Sequence, residues 1–322
     1  MPTQDLLSRD LLARLRRGDR LLLDGATGSE LQRRGVNVSK GASVEGGLGA
    51  WSATAMEDAP DMIRTIHEDY LRAGADLITA NSYNANRGIL GKVGLAHKMA
   101  AFSRLAVEIA RDARDRLAPE AFVAGSIAPT TRFPTGWDAK RVAPAEDLRR
   151  EWGDQVPVLA EAGADLVLIE SMSAIFQLLP AVEAAAQSGL PVFLGVHATP
   201  GGTMTNGETM AELVRGLETA GHHVDAILLM CSSPDAISGT LPQLRSAYRG
   251  PIGAYANIGY KRAPQPARYP ESQYHVIETG ENTPERYAEY GRRWLDMGAQ
   301  IVGGCCGTTP DHIAALRPVI KG

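Results

Sequence analysis

The chain contains three cysteines, and they fall in two places: Cys231, and the adjacent pair Cys305 and Cys306. Three cysteines in 322 residues are not a disulfide framework. Each place closes or follows a short apolar run, Asp225–Cys231 (DAILLMC) and Gln300–Gly304 (QIVGG). Gly303, Gly304 and Gly307 allow a turn that points the adjacent pair at one site. Three thiolates with no fourth protein ligand in view are the pattern of a catalytic zinc site with an open position. Soft sulfur suits Zn²⁺ over Mg²⁺ or Ca²⁺. The competing reading is a buried pair in a glycine-rich loop plus one unrelated cysteine, since free cysteine is commonly buried.

Carboxylates offer a second chemistry. Asp24 ends the run RLLLD and Glu170 ends DLVLIE. Each alone suits a helix cap or a lysine partner; together they could hold a cationic amino group. Asp24 opens the turn Gly25, Ala26, Thr27, Gly28, whose backbone N–H groups at a helix start suit a carboxylate. A tight turn is the plainer account of that segment. An ammonium clamp beside a carboxylate nest would suit an amino acid. His197 ends a further run and is an acid, a base, a ligand or a satisfied structural group. Asn81, Ser126 and Asn257 end others and can hydrogen-bond. Trp51, Tyr83 and Tyr255 lie near these ends, as packing or as faces for a cation. His222 and His223 precede a run and read as surface, and Thr309–Pro310 reads as a helix start.

The elements that must position these residues alternate. Eight strands are expected: Arg20–Asp24, Asp76–Asn81, Ala121–Ser126, Asp165–Glu170, Pro191–His197, Asp225–Cys231, Pro251–Asn257 and Gln300–Gly304. They are continuous apolar runs, as strands of a parallel sheet buried on both faces are. Helical spacing marks Asp61–Ala73, Met99–Leu117, Pro144–Ala162, Ile175–Ser188, Thr209–Ala220, Asp235–Ala247 and Pro284–Met297. Gly74, Gly163 and Gly298 each follow a helix in a shared phrase before the next strand, where glycine supplies a left-handed cap. The alternation predicts a (β/α)8 TIM barrel in a single domain, residues 1–322, with a doubly wound open sheet as runner-up. Barrel chemistry sits at the C-terminal strand ends, and every expected strand ends in a residue that can ligate, hydrogen-bond or ionise. The glycine-rich segment 39–51 after the first strand reads as a surface loop or a lid. Tyr260–Thr283 is a second long connection.

Composition bounds the class. With 33 Lys plus Arg against 37 Asp plus Glu, the net charge of −4 offers no footprint for nucleic acid or an anionic membrane. At 44% hydrophobic the chain is not disordered. It has no apolar run of transmembrane length and no secretory leader pattern, so a cytoplasmic protein acting on small molecules is expected. Oligomeric state is open.

Five segments carry a resemblance: Asp24–Leu31 (DGATGSEL), Ala80–Ala85 (ANSYNA), Gly125–Pro129 (GSIAP), Ile169–Met172 (IESM) and Gly303–Pro310 (GGCCGTTP). Together the chain resembles the homocysteine S-methyltransferase family from about Leu21 to Ile320. The resemblance implies a (β/α)8 barrel with Zn²⁺ on Cys231, Cys305 and Cys306. It implies that Asp24 and Glu170 hold the homocysteine amino group, and that Gly25 to Gly28 meet its carboxylate. The implied activity is methyl transfer from a sulfonium or quaternary ammonium donor to the homocysteine thiolate. S-methylmethionine or S-adenosylmethionine is favoured as donor; a betaine, dimethylsulfoniopropionate or another thiol or selenol acceptor is the alternative.

The chain also departs from the family. Met230 stands where Asn commonly precedes the first cysteine, so a polar contact is expected to be missing. His197 replaces a small or hydroxylated residue. Ser171–Met172 follows Glu170 in place of the aromatic of the betaine enzymes, and segment 39–49 is an unusual insertion. The chain stops soon after the last strand, which favours a free-standing sulfonium-dependent enzyme. Two rivals are a phosphosugar aldolase or isomerase and a non-catalytic thiol-based metal or redox sensor. No lysine ends a strand to form a Schiff base, and a sensor leaves Asp24 and Glu170 unexplained.

Overall fold

Apolar runs without polar alternation need cover on both faces, and a closed parallel barrel wrapped in helices provides it. The computed structural model describes residues 4–42, 49–129, 145–262 and 275–322. The strands in chain order are β1 (Leu21–Leu22), β2 (Leu77–Thr79), β3 (Phe122–Ile127), β4 (Leu166–Met172), β5 (Val192–His197), β6 (Ala226–Met230), β7 (Ile252–Ala256), β8 (Tyr260–Arg262), β9 (His275–Ile277) and β10 (Ile301–Gly304). Eight of them form one parallel sheet in the order β1-β10-β7-β6-β5-β4-β3-β2. A bridge from Leu23 to Leu77 joins its edges, with Asp24 N–H donating to Leu77 O at 2.9 Å. The sheet is therefore a (β/α)8 barrel and not an open doubly wound sheet. The antiparallel hairpin β8–β9 stands apart from it. Among the described residues no helix is long and apolar enough to cross a membrane.

Two apolar layers hold the barrel. Leu21, Leu23, Leu77, Phe122, Leu168, Phe193 and Leu228 fill its interior. Leu22, Ile78, Val123, Val167 and Leu194 face the helices instead, as strand alternation requires. A helix not anticipated from the sequence, Gln4–Arg16, adds Leu11 and Leu15 to the interior. Gln300, just before β10, donates to Leu15 O at 3.0 Å, so this helix closes the end opposite the strand C-termini. The expected glycine stops are real: Gly74, Gly163 and Gly298 have φ of 103°, 95° and 93°. The aspartates after the first two of them serve the neighbouring strand. Asp76 accepts the N–H of Leu22 at 2.8 Å, and Asp165 that of Val123 at 2.7 Å.

Several boundaries differ from expectation. β4 runs past Glu170 to Met172, with a register shift between Ile169 and Met172, and Ser126 is the penultimate residue of β3. Both residues therefore lie inside strands. The helix expected at Pro144 is described from Ala145, and residues 43–48 of the glycine-rich segment lie outside the described residues. So do 263–274 of the second long connection, whose flanks form the β8–β9 hairpin.

Gly303 shows how tightly the last strand meets the first. A Cβ there would lie 2.6 Å from Leu23 Cβ and 2.7 Å from Leu23 O. Backbone cannot yield as a side-chain tip can, so Gly303→Ala is expected to cost about 1–3 kcal/mol, read by urea unfolding. A second expectation concerns His67, which is fully buried on the helix Pro60–Ala73 with neither ring nitrogen hydrogen-bonded among the described residues. Burial pushes its pKa down to about 4. Below about pH 6.5 the unfolded chain takes up a proton that the folded chain refuses, so stability falls as pH drops towards 4, by about 3 kcal/mol in full. Unfolding midpoints at pH 7.5 and 5 should therefore differ more in the wild type than in His67→Leu.

Candidate active site

The C-terminal ends of the strands open into a cavity of about 520 Å³. Cys231 follows β6, while Cys305 and Cys306 follow β10, with β7 between them in the sheet. The barrel thus joins positions more than seventy residues apart. Cys231 Sγ lies 3.6 Å from Cys306 Sγ, which lies 3.9 Å from Cys305 Sγ. All three sulfurs lie within 4.8 Å of one another. Thiol hydrogen bonds from Cys305 and Cys306 favour the Cys231 thiolate and hold its pKa well below the thiol range. The same contacts push Cys305 well above it. Three thiols so close cannot ionise together unless a cation lies among them.

Asp24 follows β1 and is buried; its Oδ2 accepts the Thr79 N–H at 2.7 Å and its Oδ1 the Thr79 hydroxyl at 3.1 Å. Burial raises its pKa well above the carboxylate range, against the pull of those bonds, and Glu170 adds to the rise. Glu170 accepts from the Ser126 hydroxyl and, at 3.1 Å, from Tyr255 OH. Burial lifts its pKa to about 7, with Ser126 and Tyr255 opposing. Two buried carboxylates that resist charge are placed to receive a cation.

The cysteine loop is braced from the first βα turn. Thr308 Oγ accepts the Ala26 N–H at 3.2 Å, so that amide is engaged within the protein and the expected N–H nest over Gly25 to Gly28 narrows. Tyr70 OH donates to Ala26 O at 2.9 Å. Ser29 Oγ accepts the Gly307 N–H at 2.9 Å, and Arg33 donates to Gly307 O at 3.1 Å. Thr27 and Gly28 line the cavity, and a Cβ on Gly28 would meet the Trp51 ring at 2.3 Å.

Other sequence candidates divide. His197 and Asn81 line the cavity, and Asn81 donates to Ser52 O at 2.9 Å. Asn257 also lines it, yet its Oδ1 accepts the N–H groups of Gly259 and Tyr260 and its Nδ2 donates to Tyr260 O, so it braces the turn into β8. Ser126 donates its hydroxyl to Glu170. The missing polar contact at Met230 is corrected: its Sδ accepts the Ser171 N–H at 2.9 Å and lies 3.3 Å from Tyr255 OH. Ser171 and Cys231 have φ of 59° and 43°, rare for residues with side chains and characteristic of strained functional positions.

An aromatic wall faces these groups. Trp51 meets Tyr83 edge-on at 6.2 Å and Tyr260 at 5.8 Å, and Tyr260 stacks on His275 at 5.4 Å. Trp51 Nε1 donates to Tyr260 OH at 3.1 Å, and Tyr83 OH to Ser171 Oγ at 2.7 Å. Thr79, Thr308, Tyr260 and His275 were not anticipated. Thr308 lies within the GGCCGTTP segment, but nothing in the local sequence marks its bond to Ala26, or marks Thr79, Tyr260 and His275, because those partners lie on other strands or tens of residues away.

The chain is similar to several known proteins. It is 32% identical over 310 residues to a methionine synthase of Mycobacterium leprae, spanning 92% of this chain and only 24% of that protein. It is 28% identical to a selenocysteine Se-methyltransferase of Brassica oleracea, with 93% and 88% of the two chains covered. Among solved structures, the metallated homocysteine methyltransferase MmuM of Escherichia coli superposes with a TM-score of 0.77 at 27% identity, covering 97% of this chain and 99% of that one. The chain spans about a quarter of the length of the methionine synthases it matches. A family model described as homocysteine S-methyltransferase matches residues 21–320, and the chain belongs to that family.

Proposed function

We propose that this protein transfers a methyl group from a sulfonium or quaternary ammonium donor to the thiolate of homocysteine, with Zn²⁺ held by Cys231, Cys305 and Cys306. The observation that carries this reading is a three-sulfur cluster and two buried carboxylates facing one cavity. The sulfurs suit the metal. Tetrahedral Zn–S bonds of about 2.3 Å separate sulfurs by about 3.8 Å, and the two closest spacings are 3.6 and 3.9 Å. Bound zinc would supply a thiolate at neutral pH, the reactive form of the acceptor.

The chain's own residues bind, orient and exclude water. Asp24 and Glu170 receive the acceptor's ammonium, which restores to both carboxylates a charge that burial opposes. Thr79 holds both oxygens of Asp24, while Ser126 and Tyr255 hold those of Glu170, so the clamp is set before the acceptor arrives. The faces of Trp51, Tyr83 and Tyr260 suit a cationic donor. A new S–C bond forms as the donor's S–C or N–C bond breaks. The leaving group departs neutral with the electron pair, so no general acid is required. S-methylmethionine or S-adenosylmethionine remains the favoured donor. A selenol acceptor is the second reading, supported by the likeness to a selenocysteine Se-methyltransferase.

The test is zinc content together with methionine formation, read by mass, from homocysteine and a panel of donors. Cys306→Ala is expected to abolish stoichiometric zinc and to lower turnover at least about 100-fold; an active, zinc-free Cys306→Ala protein would sink the metal reading. Thr79→Val keeps the backbone bond to Asp24 and removes the hydroxyl. A charge-assisted bond is worth about 1.5–3 kcal/mol, so KM for homocysteine should rise about tenfold or more with a smaller change in kcat. Steady-state kinetics decides it.

A further inference from the structure

One buried side chain at the cavity wall has no task in the reading above. Gln177 is the third residue of the helix Ile175–Ala186 that follows β4, and it lines the cavity. It is 1% exposed, and among the described residues neither its amide oxygen nor its amide nitrogen has a hydrogen-bond partner. Buried amides are nearly always bonded, because an unbonded one has lost its water and gained nothing. The helix around it is apolar, with Leu178, Ala181 and Val182 fully buried, so packing alone would favour an apolar residue at this position. A polar group kept against that preference points to a missing partner.

The position says which partner. Acceptor binding is assigned to Asp24, Glu170 and the cysteines after β6 and β10. Gln177 lies beyond β4, where Ser173, His197 and Thr205 also line the cavity. This second polar wall faces the same space and is free of that assignment. A primary amide offers an acceptor oxygen and two donor hydrogens. Its match is a group that both donates and accepts, as the ammonium and carboxylate of an amino acid do together. A donor with a carboxylate alone leaves the amide oxygen unmatched.

We infer that Gln177 is a specificity-determining residue for the methyl donor, and that its amide pairs with the zwitterionic end of an amino-acid sulfonium. This inference rests on the methyl-transfer reading and deepens it.

The test uses zinc-loaded protein and two sulfonium probes, S-methyl-L-methionine, which carries an ammonium, and dimethylsulfoniopropionate, which does not. Calorimetry measures each on the wild type, Gln177→Met and Gln177→Leu. S-methyl-L-methionine is expected to bind about tenfold or more weakly to both variants, with dimethylsulfoniopropionate affected less than about threefold. KM for the donor should rise with KM for homocysteine within about twofold, and Tm should not fall, since an unbonded amide is exchanged for an apolar group. A purely structural glutamine would move Tm and leave that split absent. Should one apolar variant fail to fold, the other reads the same comparison. Unchanged S-methyl-L-methionine binding in the variants overturns the inference. So does a wild type that binds S-methyl-L-methionine no more tightly than dimethylsulfoniopropionate, or an equal loss of both probes. Failure of the methyl-transfer reading has a different signature: a wild type that makes no methionine from any donor, whatever the probes do at Gln177.

Discussion

Three thiol sulfurs within 4.8 Å form the constraint on which the site depends. Their charges cannot coexist without a cation, and their spacing suits tetrahedral sulfur coordination. Holding them there demands a barrel whose β6 and β10 flank β7 in register, with Met230 opposite Tyr255 and Gly304 opposite Ala256. It also demands that the last strand press against the first, where Gly303 leaves no room for a side chain. Gathering the three sulfurs and closing the barrel are thus one problem, met by the glycine-rich turn that carries the cysteine pair.

The carboxylates add a second layer. Glu170 and Tyr255 meet over Met230 at the top of the barrel's apolar filling, so the interior ends in a polar lid instead of open solvent. Burial works against charge at both Asp24 and Glu170, and each is held by fixed donors. A site of this kind is a poor home for an isolated anion and a good one for a bound cation. Left-handed backbone at Ser171 and Cys231 aims neighbouring groups at that space at a local cost, which the rest of the barrel absorbs.

Helix-stop glycines, the eight barrel strands and the polar strand ends were legible in the sequence, because they depend on local periodicity and backbone preference. Glu170 and Ser126 illustrate the limit. Their types mark them as functional candidates, but β4 runs two residues past Glu170, and Ser126 turns to the carboxylate. The Gln4–Arg16 helix was missed because the sequence does not say which end of a barrel needs a plug. Met230 looked like a lost polar contact, yet its thioether accepts an N–H from β4.

The sequence by itself determined the class of fold, the residue types at the barrel mouth and the three cysteines as candidate ligands, since periodicity and composition are properties of neighbouring residues. Only the tertiary structure decided which of those residues share a cavity. Thr79 locks Asp24 from β2, Thr308 engages the Ala26 amide from across 282 positions, and the side-chain amide of Gln177 is left without a bond among the described residues. Such facts depend on distances between strands that are adjacent in the barrel and remote in the chain. Local sequence carries no record of those distances until the sheet closes.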